Sequence, residues 1–143
     1  MTPSRSLIDE IEDALATQPA GKRDEALARI TDLFVARADH YSEEHVGLFD
    51  DVIGRLAATI EADARAKLAR RLAPIANAPV KVSRALAADA DIAVAQPLLQ
   101  HSERLDDEHL LGAAARHGQQ HLLAIAQRRT LSEAVTEVLV VRG

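Results

Sequence analysis

The chain has 143 residues, with 17 lysines and arginines against 22 aspartates and glutamates, a net charge of −5. Ala fills 28 positions and Leu 18, while Tyr occurs once, Phe twice, and Trp and Cys not at all. This supply favours helix, starves a sandwich or barrel of aromatic residues, and excludes disulfides, thiolate metal sites and cysteine nucleophiles.

No apolar run approaches the ~20 residues of a membrane span. Residues 1–13 lack the basic-then-apolar layout of a secretion signal. A soluble, cytoplasmic, all-α protein is therefore expected.

The first predicted helix covers residues 6–17. Leu7, Ile8, Ile11 and Leu15 make one apolar stripe, with Asp9, Glu10, Glu12 and Asp13 filling the other positions. The run Gln18-Pro19-Ala20-Gly21 ends it, because Pro cannot continue a helix and Gly eases the exit. A second helix over residues 22–38 places Leu27, Ile30, Leu33, Phe34 and Arg37 on one side. A short loop makes these two an antiparallel pair.

Ser42 is a good N-cap for a third helix, followed by Glu43 and Glu44 in its first turn. Val46, Phe49, Ile53, Leu56, Ile60, Leu68 and Leu72 then keep helical spacing almost to Pro74. One helix of ~30 residues is long for a small domain, so a break is expected near residues 60–63.

Beyond Pro74 the pattern becomes finer. Apolar-periodic segments cover 79–87, 91–100, 106–116, 119–128 and 131–141, each lasting two or three turns. Their boundaries carry punctuation: Pro79 in a first turn, Asp89 and Asp91 as carboxylate caps, Asp106 after Leu105, and Gly118 between two segments. Thr130-Leu-Ser-Glu133 has the spacing of a capping box. The layout around residues 79–94 returns 26 to 30 residues later around 110–126, in pattern rather than identity. Short helices repeating in pairs predict an N-terminal helical pair (residues 1–40) leading into a right-handed α-solenoid (residues 41–143), packed as one unit. The apolar ending Val138-Leu-Val-Val-Arg-Gly143 is expected to meet another chain or further helices beyond Gly143.

Particular phrases carry a resemblance. Leu68-Ala-Arg-Arg-Leu-Ala73, Ala78-Pro79, Leu86-Ala87-x-Asp89, Val94-Ala-Gln-Pro-Leu-Leu99, His121-Leu-Leu-Ala-Ile-Ala126-Gln-Arg128 and Leu131-Ser-Glu-Ala-Val-Thr136 resemble the family called domain of unknown function 2336, over about residues 30–143. The resemblance implies HEAT-type helical repeats. It implies no catalytic motif, so no functional residue is carried over from it.

Charge is unevenly distributed. Residues 1–63 carry a net charge of −8, whereas residues 64–84 hold Arg65, Lys67, Arg70, Arg71, Lys81 and Arg84 and no acid. Lys67, Arg70 and Arg71 fall within an arc of about 100°, and Lys81 and Arg84 share a face. Such a band fits an acidic partner, nucleic acid, or the acidic N-terminal helices of the same molecule. The acidic total and the scarcity of aromatics disfavour nucleic acid.

His117 and His121 stand four apart, a metal-binding spacing on a continuous helix. Gly118 instead places His117 in the preceding turn, as a turn-bonding residue. His40 and His45 are read as residues of a helix start. Asp50-Asp51 and Asp106-Asp107-Glu108 are read as first-turn or outer-face acids that cap helices and hold solubility, not as an acid–base pair. No phosphate-cradling loop or hydrolase motif is present.

The expected function is a non-enzymatic interaction scaffold, binding a protein partner or a second copy of itself, with no cofactor, metal or membrane. The candidate surface comprises Lys67, Arg70, Arg71, Lys81, Arg84, Arg128, Arg129, Leu139, Val140 and Val141. The alternatives are a nucleic-acid-binding regulator using residues 64–84, and a metal protein or enzyme using His117 and His121.

Overall fold

Four of the described helices begin where a small side chain accepts a backbone N–H left open in the first turn. The computed structural model describes residues 23–143. The predicted helix over residues 6–17 lies outside the described residues.

The elements are α1 (Arg23–Ala36), a single 3-10 turn (Ala38–His40), α2 (Glu43–Ala57), α3 (Ala62–Leu72), α4 (Val80–Ala87), α5 (Ile92–His101), α6 (Asp107–Arg116), α7 (Gln119–Ala126) and α8 (Glu133–Arg142). Among the described residues the fold is all helix, without strands. None of these helices is long and apolar enough to cross a membrane.

Ser42, Asp91, Asp106 and Ser132 accept the N–H groups of His45, Ala93, His109 and Val135. The cap of α8 corrects the sequence reading, which put it at Thr130. Starting two residues later lets Leu131 pack partly against the core while Val135 is buried.

The long third segment does break, at residues 58–61 and so slightly earlier than expected. Ile60 turns inward and is buried. Its carbonyl accepts Arg65 Nη1 at 2.8 Å, and Glu61 becomes the N-cap of α3. The apolar anchor and the guanidinium together hold a kink that no Pro or Gly announces.

Alternate helices pack on one another. α3 lies against both α1 and α5, and α5 against α7; α2 packs on α4, and α6 on α8. A continuous apolar cluster joins them, from Ala26 in α1 to Val135 in α8. All three aromatic residues of the chain gather at one end of it: Phe34 meets Phe49 edge-on at 5.1 Å and Tyr41 at 5.9 Å between ring centres. At the other positions Ala, Leu, Ile and Val fill the core.

Candidate interaction surface

The basic band divides once it is folded. Arg71 on α3 forms an ion pair with Asp32 on α1, and Lys81 Nζ reaches Asp51 Oδ1 on α2 at 2.9 Å. That second pair holds the Asp51 carboxyl below its ordinary value and the Lys81 ammonium above its own, the hydrogen bond being the larger cause. Arg84 Nε donates to the carbonyl of Arg104 at 3.0 Å. Arg65 bonds Asp89 at 3.0 Å. Lys67 and Arg70 are exposed, and neither has an ion pair among the described residues.

Asp50 departs from the sequence reading, which placed it in a first turn or on an outer face. It is 5 % exposed, in the middle of α2. Its two oxygens accept the N–H groups of Lys81 at 2.8 Å and Val82 at 2.9 Å. Asp50 is thus the cap of α4, supplied from another helix, because the N-cap residue there is Pro79 and has no side-chain acceptor. A signal was present in the sequence: Asp50 follows Phe49 and shares a helical stripe with Val46 and Ile53.

His117 lies between α6 and α7, as its neighbour Gly118 suggested, and not on one helix with His121. The two rings stack with centres 4.3 Å apart. Each uses Nε2 against a backbone carbonyl of the turn that follows α4, His117 to Ala88 and His121 to Asp89, both at 2.9 Å. A carbonyl only accepts, so both Nε2 atoms carry the proton in this arrangement. His121 is 4 % exposed. The pair therefore ties the turn at 117–118 to the turn at 88–91. Among the described residues no cluster of three or more metal-ligating side chains occurs.

Two arginines that follow odd-numbered helices act alike. Arg104, after α5, donates Nε to the carbonyl of Ala78 at 2.8 Å. Arg128, after α7, donates Nη2 to Ser102 and Nη1 to Leu99, both at 2.7 Å. Each reaches back 26 residues, from one interhelical loop to the second loop before it. Desolvation by burial lowers the Arg128 pKa, while its hydrogen bonds satisfy carbonyls at the end of α5. Arg129, next to it, is exposed.

The last helix is different in kind. α8 buries Val135 and half-buries Val138 and Leu139. Val140 and Val141 are 76 % and 84 % exposed. Together with Leu131, Glu133, Thr136 and Glu137 they line an open groove of about 640 Å³. Apolar residues thus occur all around α8, whereas a surface helix ordinarily has one apolar stripe.

Residues 94–143 match the family model described as an uncharacterised protein conserved in bacteria (DUF2336). The DUF2336 match bears out the C-terminal part of the resemblance read from the sequence, which extended back to residue 30. It takes in α5 from Val94 onward, the stacked histidines, the Arg128 bonds and the exposed face of α8. The basic residues at 64–84 lie outside it. No curated protein and no solved structure matches the chain.

Proposed function

We propose that this chain is a non-enzymatic protein-interaction scaffold, built as a short HEAT-like stack that presents α8 to another protein chain. The stacked reading is supported by the packing of alternate helices on one another and by the recurrence, 24 residues apart, of the arginine bonds at Arg104 and Arg128. In such an array each hairpin is too thin to hold a core and is stabilised by its neighbours.

The observation that carries the proposal is the exposure of Val140 and Val141 at 76 % and 84 %. Isolated exposed apolar residues are ordinary. Two adjacent valines beside Leu131, in a groove rimmed by Glu133 and Glu137, instead form a contiguous patch. A partner that fits it brings apolar side chains to the valines and basic ones to the two glutamates. The basic band is the weaker site, since Arg71 and Lys81 are already paired with Asp32 and Asp51.

Placing a photo-cross-linking amino acid at position 140 of the full chain, in its native host, tests this reading. The expected result is one discrete protein adduct, lost on Val141→Glu. No adduct, or one indifferent to Val141→Glu, overturns it. Sub-micromolar, salt-sensitive binding to DNA or RNA would move the function to residues 64–84.

A further inference from the structure

α1 and α3 run parallel, since Arg23 Nη1 meets Thr59 Oγ1 at 2.9 Å near their starts and Asp32 meets Arg71 near their ends. Between them lies a groove of about 330 Å³. Leu27, Ala28 and Leu68 form its apolar wall. Ala64, Lys67 and Arg71 stand along its α3 side, and Asp24, Glu61 and Asp63 at the end where both helices begin.

We propose that this groove receives α8 of a second copy of the chain, laid antiparallel to α3, an inference that rests on α8 being the face presented to another protein. Register supports this occupant. On α8 the residues Glu133, Glu137 and Val140 follow at steps of four and three, one outward stripe of a helix. On α3 the residues Arg71, Lys67 and Ala64 recur at the same steps read backwards. One antiparallel register therefore sets Glu133 against Arg71, Glu137 against Lys67 and Val140 against Ala64. Both stretches rise ~10 Å, so the two sets stay in step. Val141, beside Val140, meets the wall formed by Leu27 and Ala28.

Charge supports the same arrangement. Lys67, Glu133 and Glu137 are exposed, and none has an ion pair among the described residues. Arg71 is already paired with Asp32 and adds a second acid to its guanidinium. The antiparallel direction also leaves the exposed Arg142, at the end of α8, beside Asp24, Glu61 and Asp63. A parallel α8 would bring Glu133 to those three acids instead. Two α8 faces set against each other fit less well, because the glutamates of one copy meet glutamates or valines of the other.

Reach makes the contact one between chains. α8 packs on α6 and α7, at the far end of the row α1, α3, α5, α7. That row covers three helix spacings, ~24–30 Å, so α8 does not cover the groove of its own chain. The joint is head to tail, and it repeats from copy to copy unless a ring closes.

The absence of cysteine from the chain makes the test clean. Full-length Val140→Cys and Ala64→Cys are mixed, treated with a short bismaleimide and mapped by peptide mass spectrometry. Thiols held in one contact see each other at millimolar effective concentration, so 140–64 links should exceed 140–140 and 64–64 links by about tenfold. Lys67→Glu in the Ala64→Cys chain should lower the 140–64 yield several-fold, and Glu137→Lys in the Val140→Cys chain should restore it. Dominant 140–140 links, or a 140–64 yield indifferent to Lys67→Glu, would overturn the proposal. So would the absence of 140–64 links, and photo-cross-linking at position 140 in the native host then separates two failures. An adduct with a different protein, lost on Val141→Glu, removes the second copy and leaves the α8 reading standing. No adduct removes both.

Discussion

The carboxylate of Asp50 accepts the backbone N–H of Val82 at 2.9 Å across 32 residues, and with it the start of α4 is fixed against the middle of α2. Removing this buried acceptor leaves two N–H groups, those of Lys81 and Val82, without a partner. Asp50→Ala should therefore cost about 2–3 kcal/mol. Asp50→Asn keeps one acceptor oxygen and should cost less. Urea denaturation followed by circular dichroism measures both; equal stability of Asp50→Ala and the parent would show that α4 needs no cap from α2.

Arg128 offers the same kind of test at the other end of the molecule. Its fork serves Leu99 and Ser102 at once, a geometry that the single ammonium of Lys does not reproduce. Arg128→Lys should lower stability by about 1–2 kcal/mol, although charge is retained. If charge alone mattered, the lysine variant would melt with the parent.

Ser83 lies buried in α4, and its hydroxyl has no hydrogen-bond partner among the described residues. Ser83→Ala removes an unpaired buried polar atom and improves helix propensity, so it should raise stability by about 1 kcal/mol. A loss of stability on this change would mean that the hydroxyl has a partner in solution.

Acid titration isolates Asp106. Its carboxyl is held below the ordinary value of 3.8, chiefly because it accepts the His109 N–H and, to a smaller extent, because of the His109 ring and Arg84. A depressed folded-state pKa contributes stability that is fully present above the unfolded value and is lost as pH falls through the folded one. The Tm advantage of the parent over Asp106→Asn should hold steady at neutral pH and shrink below about pH 4. A difference independent of pH would remove the carboxylate's charge from the explanation.

Much of this protein is legible without coordinates. Helix positions follow from Leu and Ala periodicity, and three starts follow from Ser42, Asp91 and Asp106, because a cap and its first turn are neighbours in the chain. The turn position of His117 was readable for the same reason, from Gly118 beside it.

The tertiary structure decided whatever joins distant residues. Thr130-Leu-Ser-Glu133 offers two possible caps, and the choice of Ser132 depends on how Leu131 and Val135 meet the core. Asp50 and Asp51 are adjacent acids with similar local surroundings. One is buried beneath α4 while the other is exposed beside Lys81, because only packing selects which oxygens face two open N–H groups. The arginines behave likewise. Composition made 64–84 a basic band, whereas the fold gave Arg71 and Lys81 acidic partners and Arg84 a carbonyl, and left Lys67 exposed beside the α1–α3 groove. Periodicity measures only which face of a helix is apolar; the partner of each charge is set by which helices come to lie against one another.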